Sequence, residues 1–212
     1  MKNTLQKIFR IFLVNASLLL AFAPALNVTS IPVTGNSAIF AAVPTTVQSV
    51  DDFAASVKNG NASQITGVYA TDKFALTVVQ QPSGNAGYVS TASETVTQFG
   101  LASSYGSTGL LAHNYLAGKY FSSISSGATL TVIFGDGSKK NYTVSEVRQY
   151  KALDPTNLYS NFVNLNDSSK TLSSTDVFNE TFGKSGALVL QTCITKDGNS
   201  SWGRLFIIAY SS

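Results

Sequence analysis

One histidine and one cysteine occur in the 212 residues. Each stands at the polar end of an apolar run: His113 follows Leu110-Leu111-Ala112, and Cys193 follows Leu188-Val189-Leu190-Gln191-Thr192. A Cys–His pair is the minimum for thiol acyl transfer, in which a thiolate attacks a carbonyl and the imidazole then delivers a proton to the leaving amine. A free cysteine is mostly thiol at neutral pH, and a neighbouring cation favours the thiolate. Arg204 is the candidate cation. It lies 11 residues after Cys193, across the turn Lys196-Asp197-Gly198-Asn199, and a hairpin of that length brings it back beside the thiol. Its planar fork also offers fixed donors to an oxyanion or a substrate carbonyl. Taken singly, each residue has a plainer reading: an inert buried thiol, a satisfied rim histidine, an arginine in a surface ion pair.

The elements that must position these residues are short and β-rich. Ile65–Ala70 and Phe74–Val79 read as a hairpin, and so do Leu130–Phe134 and Lys140–Tyr150 across Gly135-Asp136-Gly137-Ser138. Gly109–Asn114 reads as a buried strand ending in polar residues, Ala187–Thr192 as a strand ending at the cysteine, and Trp202–Tyr210 as the last strand. Thr95–Tyr105 is open between a short helix and a loop, and Asp154–Ser169 reads as a long loop. Ser173-Ser174-Thr175-Asp176 has the form of a helix start, with about two turns to follow. This pattern predicts an all-β, mainly antiparallel barrel or sandwich with one or two short helices. Composition agrees: hydrophobic residues are 44% of the chain and charged residues only 12%, too few for many surface helices.

Charge narrows the function. Of the 14 basic residues, Lys2, Lys7 and Arg10 lie in the first ten positions, which leaves 11 against 11 acidic residues in the rest. A formally neutral body has no basic patch for nucleic acid. The start of the chain reads as an export segment: a basic region, an apolar stretch from Ile11 to Ala23, and Ala21-Phe22-Ala23 as a cleavage site, with Ala38 to Ala42 as a second option. The apolar stretch falls short of the roughly 20 residues that span a bilayer. An uncleaved anchor extended through Pro24-Ala25-Leu26 stays open as the alternative. Either way the body is expected outside the cytoplasm, where a lone thiol suggests a reactive group or an intermolecular bond, with an inert buried cysteine as the plainer reading. The expected organisation is a signal peptide or membrane anchor over 1–26, a linker over 27–63 with a short helix around Val50–Val57, and one catalytic domain over 64–212.

Other motifs carry little. Phe134-Gly135-Asp136-Gly137 has the glycines of a phosphate loop, but flanking strands make it a hairpin turn. Asn-x-Ser/Thr triplets at Asn61, Asn141 and Asn199 follow from composition. One His and one Cys do not make a usual zinc set, and no loop has a calcium-ligand pattern, so no metal and no cofactor is expected, with calcium left open. Asp176 and Glu180 read as solvated.

Val189-Leu190-Gln191-Thr192-Cys193 followed by Trp202-Gly203-Arg204-Leu205-Phe206-Ile207-Ile208-Ala209 resembles the sortase signature, in which a T-L-x-T-C strand ends in the nucleophile and the next strand carries an essential arginine. Val189 stands where that motif has its first threonine. Leu111-Ala112-His113-Asn114, with Phe121, Gly127, Val132 and Tyr142-Thr143-Val144 after it, is similar to the family's histidine strand and hairpin. The resemblance runs from about Gln64 to the C-terminus. It implies a closed sortase-type β-barrel and an extracytoplasmic cysteine transpeptidase with His113, Cys193 and Arg204 as catalytic residues. Thr192, Asn114 and Trp202 beside them are then expected to bind substrate. The implied partners are proteins carrying a C-terminal sorting motif and an amine nucleophile from a cell-wall precursor or a pilin lysine, with the membrane contacted only if the N-terminal segment is uncleaved. With no sorting signal or apolar tail after Tyr210, the chain is not expected to be a substrate itself. Two other readings stay open: a thiol hydrolase of the same fold, and a non-catalytic peptide-binding barrel.

Overall fold

Runs of β-branched and aromatic residues, broken every few positions by Asp, Asn and Gly, make short strands joined by tight turns. The computed structural model describes residues 48–157 and 159–212. Its strands are β1 (Ile65–Ala70), β2 (Phe74–Gln80), β3 (Thr95–Phe99), β4 (Thr108–Leu111), β5 (Thr129–Phe134), β6 (Lys139–Ala152), β7 (Phe162–Asn164), β8 (Thr171–Leu172), β9 (Ala187–Lys196) and β10 (Asn199–Ser211). The sheet order is β10-β9-β4-β3-β2-β1-β5-β6-β7-β8, and β10 also pairs with β6. That extra pairing closes eight strands into a barrel, with β7 and β8 as a flap beyond β6. The pairings around the barrel are antiparallel except β2–β3 and β4–β9. The closed, mainly antiparallel β-barrel expected from sequence is therefore present, with short helices outside it.

The barrel interior is filled by side chains from all eight strands, among them Val68, Leu76, Val96, Leu110, Leu130, Val144, Leu190 and Ile207. A second apolar layer lies on the outer face, where Val189, Phe206 and Ile208 meet Phe162, Phe178 and Phe182. Each fully buried side chain of this size contributes roughly 1.5–3 kcal/mol relative to exposure. The outer layer is held down by a helix, α3 (Ser174–Glu180), which follows α1 (Val50–Ser56) and α2 (Gly100–Ser103) in chain order. Ser173 caps α3 with a complete capping box, its side chain accepting from the Asp176 backbone while the Asp176 carboxylate accepts from the Ser173 backbone.

Four sequence expectations change here. Thr95–Phe99 is a strand, not a helix or loop; Val96 and Thr97 are both fully buried, so it lacks the alternation that marks a half-exposed strand. The long loop over Asp154–Ser169 contains β7, which pairs with the end of β6 through only three residues. Strand β9 runs past Cys193 to Lys196, so the thiol lies within the strand and not at its end. And α1, within the expected linker, places Phe53 and Ala54 against Tyr69 and Ile133. The folded body thus includes α1, ahead of Gln64, because two of its apolar side chains gain a buried surface there. The expected export segment and most of the linker lie outside the described residues.

Candidate active site

The turn Asp197-Gly198 joins β9 to β10 with both residues at positive φ, 51° and 75°, a geometry that glycine and aspartate tolerate and that suits two-residue hairpins. The hairpin register then sets Arg204 directly opposite Cys193. Facing residues share one side of a sheet with Cβ atoms about 4.5–5.5 Å apart. On the other flank, β4 runs parallel to β9 with Leu111 level with Gln191, and the pairing continues one step as Ala112 N donates to the Gln191 carbonyl at 3.1 Å. His113 follows one residue later, beyond the paired positions of β4. Leu110 and Ala112 belong to the barrel interior and Leu111 to the outer layer. Val189 and Phe206 place Cys193 and Arg204 on the same outer side. Adjacent strands about 4.8 Å apart therefore present thiol and guanidinium side by side, with the histidine two residues past the end of β4. Tyr150 of β6, opposite Arg204, and Asn164 of β7, opposite Tyr150, extend the row.

The surroundings of the three differ. Cys193 is a free, half-buried thiol. Arg204 is only 5% exposed, and none of the ion pairs among the described residues involves it. Its Nη1 donates to the carbonyls of Ser201 (3.0 Å) and Gly203 (2.9 Å), and the ring of Phe162 lies 5.9 Å from its central carbon. A buried cation without a carboxylate is costly unless other groups satisfy it, and it is poised to favour any negative charge that develops beside it. His113 is half-buried, stacked on Tyr115 at 5.3 Å, with Nε2 shielded from water and without a protein partner. Burial pushes its pKa below the ordinary histidine value, and a hydrogen bond to the backbone at Val89 works weakly the other way. At neutral pH the imidazole is neutral.

That shift has a consequence for stability. The unfolded chain binds the His113 proton more tightly than the folded one, so stability rises with pH between the lowered folded value and the ordinary value near 6.5. The contribution is complete above about pH 6.5 and is lost as the pH falls through the folded value. Thermal unfolding at pH 7 and pH 5 should show a drop in the parent protein that is smaller in His113→Gln. An equal drop in both proteins would contradict the burial of a neutral imidazole.

Beyond Ala112 the chain turns sharply, with Leu116 N and Gly118 N both donating to the His113 carbonyl at 3.0 Å. A 3-10 helix, Ala117–Ser123, follows. Gly118 is needed there. A Cβ at this position would collide with Thr192 Oγ1 and stand 2.7 Å from the His113 carbonyl oxygen. Gly118→Ala should therefore displace the histidine and lower both activity and stability, the latter by about 1–3 kcal/mol. Chemical denaturation measures the second effect; a variant as stable as the parent would mean the turn yields at no cost.

The residues expected to bind substrate are placed as follows. Thr192 is 2% exposed and spends its hydroxyl proton on the Ala112 carbonyl at 2.9 Å, so it clamps β4 to β9 from within. Asn114 donates from Nδ2 to Thr195 Oγ1 (2.7 Å) and to the Ser200 carbonyl (2.9 Å). Trp202 is half-buried, two residues from Arg204, with the Lys196 ammonium 4.9 Å from its ring centroid. Glu180, expected to be solvated, instead accepts from Arg148 Nη1 (3.0 Å) and from the Tyr150 hydroxyl (3.1 Å). Burial raises the Tyr150 phenol above its ordinary value, which keeps it a donor. Sequence reasoning missed Tyr150, Phe162, Tyr115 and Gly118 as site components, because none carries a local signal. A polar cavity of about 400 Å³ lies farther along β6, with Glu146, Arg148, Asn164 and Glu180 in its wall; Cys193 and His113 do not line it.

No protein-family model matches the chain, and no curated protein does. Among solved structures it is similar to sortase C1 from Streptococcus agalactiae, at 14% identity and a TM-score of 0.43, over 69% of this chain and 66% of that one. It is similar to sortase A from Listeria monocytogenes, at 11% identity and a TM-score of 0.42, over 70% of this chain and 87% of that one. A third is sortase C-1 from Actinomyces oris, at 13% identity and a TM-score of 0.46, over 76% of this chain and 79% of that one. The chain spans just under two thirds of the Streptococcus agalactiae sortase C1 chain.

Proposed function

We propose that this chain is an extracytoplasmic cysteine transpeptidase in which Cys193 is the nucleophile, His113 the proton carrier and Arg204 the oxyanion or substrate clamp. The observation that carries the reading is the register of β9 and β10: the chain's sole thiol faces a buried arginine that forms no ion pair among the described residues, and its sole histidine follows the end of β4, the strand on the other flank of β9. The resemblance of the Val189–Cys193 and Trp202–Ala209 segments to the sortase signature agrees with it.

The steps follow from the residue chemistry. His113 accepts the Cys193 proton as sulfur attacks the carbonyl carbon of a peptide bond, forming a C–S bond and an oxyanion. Arg204 stabilises that oxyanion through donors that Nη1 does not commit; among the described residues no acceptor meets Nε or Nη2. His113 then gives the proton to the leaving amine as the C–N bond breaks, leaving a thioester on Cys193. A second amine attacks the thioester, loses its proton to the imidazole and displaces the thiolate. In this reading the acyl donor is a protein with a C-terminal sorting motif, and the acceptor amine belongs to a cell-wall precursor or a pilin lysine. Water in place of the amine makes the same site a hydrolase. Among the described residues no helix is long and apolar enough to cross a membrane.

The test is acyl-enzyme capture. Incubation with a peptide library should add an acyl mass to Cys193, and hydroxylamine should release it as a hydroxamate. Peptide-amine adducts on adding a diamine mark transfer, and free acid alone marks hydrolysis. Peptide binding with no adduct on Cys193 would reduce the protein to a peptide-binding barrel.

A further inference from the structure

Beyond Ala112, β4 has no ladder partner, and His113 sits in a short arm that turns back on its own carbonyl. The hairpin opposite is also loosened at this level, because the β9–β10 register slips between Asn199 and Gly203. No ladder therefore holds residues 200–202, yet Arg204 is anchored on this segment through the Ser201 carbonyl. Asn114 spans both weak points. Its Nδ2 donates to Thr195 Oγ1, two residues past Cys193, and to the Ser200 carbonyl, next to Arg204's own acceptor.

We propose that Asn114 is a positioning residue whose amide ties the histidine arm to the nucleophile strand and to the segment that anchors Arg204. This rests on the functional reading above in taking the three residues as one site. The geometry asks for an amide. Its –NH₂ supplies two donors to two acceptors, so neither is left for a substrate. A carboxylate would face the Ser200 carbonyl with no donor, and a hydroxyl has one proton for two acceptors. The role replaces substrate binding, the expectation from sequence.

The single histidine makes the test direct, since one imidazole Hε1 resonance reports the arm. The charged or titratable groups on the elements around it are Cys193 on β9, Arg204 on β10, Tyr115 in the arm and Tyr88 beside Val89, whose backbone meets the imidazole. Lys119 and Lys196 lie over the rings of Tyr120 and Trp202. Asn114→Ala should free the arm, admit water and move the His113 titration up towards its ordinary value. Thr195→Val removes one acceptor without touching the arm and should move it the same way by less. Iodoacetamide labelling of Cys193 at pH 7 should slow in Asn114→Ala, and that slowing should vanish when His113→Ala is added. Folded Asn114→Ala and Thr195→Val proteins with the parent titration would overturn the proposal. So would labelling effects of Asn114→Ala and His113→Ala that simply add. Labelling indifferent to His113→Ala in the otherwise unaltered protein would instead sink the Cys–His pairing, while the resonance would still decide the role of Asn114.

Discussion

Cys193→Ala should reduce acyl transfer by about 10⁴-fold or more, the scale on which a covalent route disappears when its nucleophile goes. The fold should survive it. The thiol is half-buried, and an alanine side chain in its place leaves the β9–β10 ladder intact. Stability is expected to change by no more than about 1 kcal/mol, the ordinary range for a site away from the core. Intact-mass detection of the acyl adduct and a product assay measure the first effect, and denaturant unfolding measures the second. Substantial turnover in the alanine variant would mean that the thiol is not the nucleophile, whatever its neighbours.

Arg204 carries the other large expectation. Arg204→Lys should be nearly as damaging as Arg204→Ala, each costing roughly 10²–10³ in kcat/KM, the usual loss when an oxyanion donor is removed. The structure supplies the reason. One nitrogen of the fork is spent on two carbonyls of its own strand, Ser201 and Gly203, and Phe162 lies against the guanidinium. The planar group can be held at Nη1 and still offer Nε and Nη2. A lysine ammonium that takes those carbonyls keeps little for a substrate, and one that turns to the substrate abandons two buried carbonyls. Arg204→Ala leaves the same carbonyls without their donor and a gap beside Phe162, so it should lose stability as well as rate. Wild-type kinetics in the lysine variant would make the residue a generic positive charge.

Several elements were plain in the sequence because their signals are local. The two hairpins before residue 150, the Ser173 cap and the Asp197-Gly198 turn each depend on residues a few positions apart, and each forms as expected. The candidate site was legible to the same extent. Rare residue types at the borders of apolar runs singled out His113, Cys193 and Arg204, and the hairpin length set Arg204 beside the thiol. The facing of residues along β9 was not legible. Along β9, Leu188 and Leu190 fill the barrel while Ala187 and Val189 lie under the outer layer, so both faces are apolar and the two-residue alternation that identifies a face is absent. Thr192 and Cys193 are then equivalent on paper. In the barrel one hydroxyl points inward to clamp Ala112, and the thiol faces out beside Arg204.

What the sequence determined by itself was the class of fold, the hairpins and which residues are candidates for the chemistry, because these rest on residue type and short-range spacing. Tertiary structure alone decided that the barrel closes through β6–β10, that β3 and β4 each find a parallel neighbour, that Tyr150 and Asn164 stand in line with Arg204, and that the Phe162 ring lies against it. Those pairings join segments far apart in the chain. Only the closed sheet, with one layer of side chains inside and a second outside, fixes which residues stand level with the thiol.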